Sequence, residues 1–131
     1  MGPIAEDYIS FKVAKLLKEK GFDEKCYLQY KENGTYIVRT ESPVYNSLLD
    51  DNDCAGPTQS MAMKWLRKQH NFNVNIELTI NGYFCSFSHI VRDSLGYIID
   101  IEYLEAWKTP YYDSYEKACD EGIKYCLENL I

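Results

Sequence analysis

Phe72-Asn-Val-Asn-Ile-Glu-Leu-Thr-Ile-Asn-Gly-Tyr-Phe-Cys-Ser-Phe-Ser-His-Ile-Val91 is the stretch that decides how this chain folds. From Phe72 to Ile80, apolar and polar residues alternate with period two, the mark of a strand with one buried face. Asn81-Gly82 has the composition of a two-residue hairpin turn. A return strand follows from Tyr83 to Val91. That turn sets Ile80 opposite Tyr83, Leu78 opposite Cys85, Ile76 opposite Phe87, Val74 opposite His89 and Phe72 opposite Val91. Apolar or aromatic side chains then meet everywhere except at His89. Beyond the turn Asp93-Ser-Leu-Gly96, the alternation Tyr97, Ile99, Ile101, Tyr103 predicts the third strand of a meander.

Working outward, Ser10 is a good N-cap for a first helix whose apolar face is Phe11, Val13, Ala14, Leu16 and Leu17. Gly21 suits the C′ position, with Phe22 packing back on Leu17 in a Schellman motif. Asn33-Gly34 then marks a hairpin between runs 26–31 and 35–40. The segment from Glu41 to Gly56 has no period and reads as a long surface loop. A second helix opens at Gly56-Pro57-Thr58, with the proline in the first turn. Met61, Ala62, Trp65 and Leu66 form its stripe, and His70-Asn71 ends it. A last helix starts with capping-box spacing, Asp113 as N-cap and Glu116 at N3. Tyr115, Ala118, Cys119, Gly122, Ile123, Cys126 and Leu130 line its apolar side. The order is α-β-β-α-β-β-β-α. The expected fold is a single α+β domain over 1–131. It is a two-layer sandwich, an antiparallel sheet of about five strands covered by three helices.

The 131 residues carry 14 basic and 20 acidic side chains, a net charge of -6. That net acidity makes the chain a poor binder of nucleic acid; all of the excess lies from Asp93 onward, so any anion-binding patch is expected in the first two thirds. Five cysteines, Cys26, Cys54, Cys85, Cys119 and Cys126, occur with no CxxC spacing. An odd count at such spacings fits free thiols in a reducing compartment rather than a zinc or redox motif. No metal site and no cofactor are expected. The longest apolar run is too short to cross a membrane. The opening residues lack a basic n-region and an apolar h-region, so no signal peptide is expected.

Functional candidates follow from residue type. Asp50-Asp51-Asn52-Asp53 is oxygen-rich but lacks the spaced ligands of a calcium loop. Cys54 follows it, where neighbouring acids oppose a thiolate. His89 sits on the nominally apolar strand face, a core-edge histidine or a ligand contact. Among the 12 tyrosines, Tyr45 in the long loop and Tyr111 and Tyr112 beside Trp107 suit a half-wet contact surface. Tyr45, His89, Trp107, Tyr111 and Tyr112 are therefore the candidate ligand- or partner-binding residues. Phe84 and Ile90, with Ile98 and Leu104 of the next strand, place apolar side chains on the nominally polar face. They are the candidate face for a partner or for self-association as a homodimer, or else a face that the loop from Glu41 to Gly56 covers. Lys12, Lys15 and Lys18 with Lys64, Arg67, Lys68 and His70 are the basic helix faces that a nucleic-acid binder would use.

Three stretches carry a resemblance: Ile9-Ser-Phe-Lys-Val-Ala-Lys-Leu-Leu-Lys-Glu-Lys-Gly-Phe22, then Ala55-Gly-Pro-Thr-Gln-Ser-Met-Ala-Met-Lys-Trp-Leu-Arg-Lys-Gln-His-Asn71, and the helix from Tyr112 to Ile131. Together they resemble a family of small uncharacterised proteins of phages and prophages of gut Bacteroidetes. The resemblance covers the three helices. It implies a bacterial cytoplasm and carries no activity and no site residue.

No nucleophile, base and orienting group occur together in any segment. The reading is therefore a small cytosolic accessory binding protein of phage or prophage type, engaging a host protein or a small-molecule ligand. A small enzyme with its site around His89 and the 41–56 loop is one alternative. A nucleic-acid-binding protein using the basic faces of the first two helices is the other.

Overall fold

A computed structural model describes residues 7–104 and 110–131 of the chain. Two compact units make it up, Met1–Ala62 and Met63–Ile131. Helix α2, Gln59–His70, runs across the boundary.

The first unit opens with α1, Phe11–Glu19. Ser10 caps it as expected, its side chain accepting the N–H of Val13. At the other end Gly21 takes φ +92°. Phe22 N–H donates to Leu17 O and Gly21 N–H to Lys18 O, at 2.9 and 3.1 Å. This is the Schellman arrangement, with Phe22 and Leu17 both buried. Strands β1, Leu28–Tyr30, and β2, Tyr36–Val38, form the expected hairpin, with Gly34 at φ +87°.

The segment read as loop is partly ordered. A short 3₁₀ turn occupies Asn46–Leu48, and β3, Cys54–Ala55, pairs antiparallel with β1. Gly56 allows that approach, because a Cβ there would sit 2.5 Å from Leu28 Cδ2. Asn46 ties the loop down. Its amide donates to Phe22 O, and its oxygen accepts Ala55 N–H, both at 2.8 Å. Proline does not open α2: Thr58 caps it, its hydroxyl accepting Met61 N–H, and the buried Pro57 lies one residue outside. Met61 of the expected stripe is exposed.

The second unit holds β4, Phe72–Thr79, β5, Gly82–Arg92, and β6, Ile98–Tyr103, in that order, followed by α3, Tyr115–Asn129. The hairpin register differs from the expected one. Leu78 stands opposite Tyr83, Ile76 opposite Cys85, Val74 opposite Phe87 and Phe72 opposite His89. The two-residue turn is Ile80-Asn81, not Asn81-Gly82. A type I′ turn needs positive φ at both central residues, and here only Gly82 has it, at +122°. Thr79 fixes the turn instead, its hydroxyl accepting Asn81 N–H and donating to Gly82 O. Each partner moves by two positions, so the faces of the sheet are unchanged.

Helix α3 packs on β4 and β5. Its N-cap is Ser114, whose hydroxyl accepts Lys117 N–H, so the cap lies one residue beyond Asp113. Ala118, Cys119, Gly122, Ile123, Cys126 and Leu127 are its buried face. Leu127 replaces the expected Leu130, and Tyr115 is exposed.

The class is thus α+β, as expected. The single sheet of about five strands is corrected to two antiparallel sheets of three, β2-β1-β3 and β4-β5-β6. The strand hidden in the aperiodic segment completes the first sheet.

Candidate partner-binding site

Antiparallel pairing makes successive residues of a strand aim their N–H and C=O groups alternately to the two neighbours. Tyr83 N–H donates to Tyr112 O, and Phe87 O accepts Leu104 N–H. The odd residues of β5 therefore bond toward β6, while Ile90, donating to Asn71 O, bonds toward β4. In β6, Leu104 and Glu102 consequently turn inward, and Tyr103 and Ile101 turn their backbone groups outward. Opposite Ile101 stands Ile90, and opposite Tyr103 stands Ser88.

That outward edge is unpaired among the described residues, since β6 ends its sheet. Every residue of the strand is exposed. Ile98, Ile101 and Tyr103 are 55%, 46% and 75% exposed. An apolar, unpaired edge invites pairing with another chain. Asp100 blunts it at one point: its Oδ1 accepts the outward N–H of Ile101 at 2.8 Å.

The candidate residues from the sequence are spread over both units. Tyr45, in the first unit, precedes the 3₁₀ turn and is half-buried. His89 pairs with Phe72, their rings 5.1 Å apart, and its Nδ1 lies 3.4 Å from Glu102 Oε2. Tyr111 is exposed and stands edge-on to Phe84 at 6.0 Å. Tyr112 bridges to Tyr83; burial first, then Glu121 and Cys85, raise its phenol above the ordinary value. Trp107 lies outside the described residues. Within the second unit, Tyr111 and Tyr112 lie along β5 at the Tyr83–Phe84 end, and His89 lies toward its other end.

Phe84 and Ile90 share one face of the sheet, as alternate residues of β5 do. Leu104, bonded to Phe87, falls on the opposite face with His89 and Glu102. Ile98 lies past a bulge, opposite Arg92. The residues beside Ile90 and Ser88 are instead Ile101 and Tyr103. The sequence signal for them was the β5–β6 register, which the composition of the connecting turn does not fix.

The first unit has an open cleft of about 370 Å³ lined by Phe11, Lys15, Lys18, Glu32, Asp53 and Cys54 among others. Lys18 Nζ is held by the carbonyl oxygens of Asp50 and Asp53, at 2.8 and 2.6 Å. Asp53 Oδ2 also accepts from the buried Gln29 amide at 3.0 Å and lies 3.4 Å from Lys31 Nζ. The basic face of α1 is therefore interleaved with acids. Burial pushes the Cys54 thiol up to about 11, against Lys18 and Lys15, which lower it. A neutral, buried thiol is a weak nucleophile. All five cysteines are free and buried. Among the described residues, no three metal-ligating side chains converge and no helix is long and apolar enough to cross a membrane.

No family model, no curated protein and no solved structure matches the chain.

Proposed function

We propose that the chain is a small binding protein of the bacterial cytoplasm, of phage or prophage accessory type, which engages a partner protein through the open edge of β6. The carrying observation is the exposed edge strand itself. Ile98, Ile99, Ile101 and Tyr103 meet solvent along an edge that no element covers among the described residues, with Asp100 and Glu102 as its only charges. Strand addition uses such an edge: main-chain hydrogen bonds supply affinity and alternate side chains supply selectivity. The buried thiols and the separation of His89 from Tyr111 and Tyr112 along β5 favour this role over catalysis.

The test is Ile101→Pro. The N–H of Ile101 is outside the ladder, so proline removes an edge donor without breaking a sheet bond. A protein captured from bacterial extract by the native chain should be lost with the proline variant at unchanged melting temperature. Capture that is indifferent to Ile101→Pro would assign the contact to another surface.

A further inference from the structure

Edge strands that attract partners must also avoid their own copies, and the charges of β6 show how this one does so. A second copy added antiparallel about a two-fold axis normal to the sheet keeps faces matched, so residues of equal parity oppose one another. The two registers with most overlap are centred on Asp100 and on Ile101. The first sets Asp100 against Asp100 of the copy. The second sets Asp100 against Glu102 of the copy, twice. Like charges directly opposite destabilise a strand pair. The best self-pairings therefore both fail on charge.

Among the described residues, neither carboxylate is paired with a lysine or arginine; the contact of Glu102 is His89, at 3.4 Å. Arg92, nearby on β5, is directed to Asn71 Oδ1 and Gly96 O, at 2.8 and 3.0 Å. The chain from Asp93 onward holds nine acids, Asp100 and Glu102 among them, against three lysines. Asp100 and Glu102 share one sheet face, while Ile101 and Tyr103 share the other with Ile90.

We infer that the strand received by β6 is basic: an extended segment of a partner protein in which Lys or Arg alternates with apolar residues. This rests on the binding role proposed above. The apolar side chains lie beside Ile101 and Tyr103, and the cationic ones beside Asp100 and Glu102. A cation that pairs with Asp100 draws its carboxylate off the Ile101 N–H, freeing that donor for the new ladder. Asp100 thus guards the edge against neutral and acidic strands and yields it to a basic one.

The probes are two capped peptides, one alternating lysine with valine and one alternating glutamate with valine. Each is titrated into the isotope-labelled full chain, and backbone amide shifts and exchange are followed by NMR. The lysine peptide is expected to bind about tenfold more tightly and to protect the amides of Ile101 and Tyr103. Asp100→Lys, at an exposed position, should reverse the preference. Equal protection by both peptides, or a preference unchanged by Asp100→Lys, overturns the charge assignment and leaves the edge itself as the contact. No protection at Ile101 or Tyr103 with either peptide overturns both readings. Protection that grows with protein concentration alone assigns the edge to a second copy and likewise overturns the inference.

Discussion

Gly122 of α3 passes so close to Cys85 of β5 that a Cβ on the glycine would lie 2.8 Å from the Cys85 Sγ and 3.0 Å from Val74 Cγ1. The absence of a side chain sets the distance between helix and sheet. Cys85 Sγ in turn donates to Ala118 O at 2.9 Å. Gly122→Ala should therefore destabilise the second unit by about 1–3 kcal/mol, the usual cost of overpacking. Combining it with Cys85→Ala should recover part of the loss, since neighbouring sites couple. Denaturant melts of the two single variants and the double variant check this; strict additivity would mean that the two residues do not touch.

The β4–β5 turn supplies a second test. Gly82 combines φ +122° with a position where a Cβ would meet Tyr112 O at 2.5 Å. Both features penalise a side chain, so Gly82→Ala should cost about 2 kcal/mol or more. Asn81→Ala should cost little, because Asn81 keeps negative φ. Thermal melts separate the two; equal losses would point to the Asn-Gly turn expected from composition.

These two glycines show how much of the fold the sequence discloses. Ser10, Gly21 and Phe22 form the end structures their types demand, because caps depend on neighbours within a few residues. The small residues Ala118, Cys119 and Gly122 fall on the buried face of α3, where the helix comes close to the sheet. Register depends on side chains reaching across a turn, and the Thr79 hydroxyl outweighs the turn preference of Asn81-Gly82. The strand Cys54–Ala55 is too short to show a period and exists because Gly56 leaves room beside Leu28. The open edge was hidden for a similar reason: Ile99, Ile101 and Tyr103 read as one face of a meander strand, and only the pairing with β5 shows which backbone groups look outward.

Asn46 anchors the segment that composition marks as loop. It satisfies Phe22 O and Ala55 N–H from a buried position. Asn46→Ala strands both groups and should lower stability by about 2 kcal/mol. Proteolysis of the native variant within 41–53 should accelerate with it. Unchanged stability would mean that the loop holds its shape by other contacts.

The thiols make stability depend on pH. Burial raises Cys26, Cys85 and Cys126 from 9.0 to about 12 and Cys54 to about 11. Above about pH 9 the unfolded chain releases these protons while the folded chain retains them. Their contribution to stability is then fully present below pH 9 and falls as pH rises toward 12. Melting temperatures should drop through that range, and less steeply in a Cys54→Ala, Cys126→Ala variant. A slope indifferent to these substitutions would assign the loss to other groups.

Removing the charge guard should expose the edge to self-pairing. Asp100→Asn with Glu102→Gln leaves the apolar residues of β6 in place and takes away the like-charge contacts of both favoured registers. Sedimentation should show a monomeric native chain and a concentration-dependent dimer for the double variant. A dimer of equal strength in both would show that charge does not control the edge.

The most direct measurement compares two adjacent amides in the free protein. Leu104 N–H donates to Phe87 O at 3.1 Å, whereas Tyr103 directs its N–H out of the sheet. Amide hydrogen exchange should be slow at Leu104 and fast at Tyr103. Equal protection at the two positions would mean that the edge of β6 is already covered and closed to a partner strand.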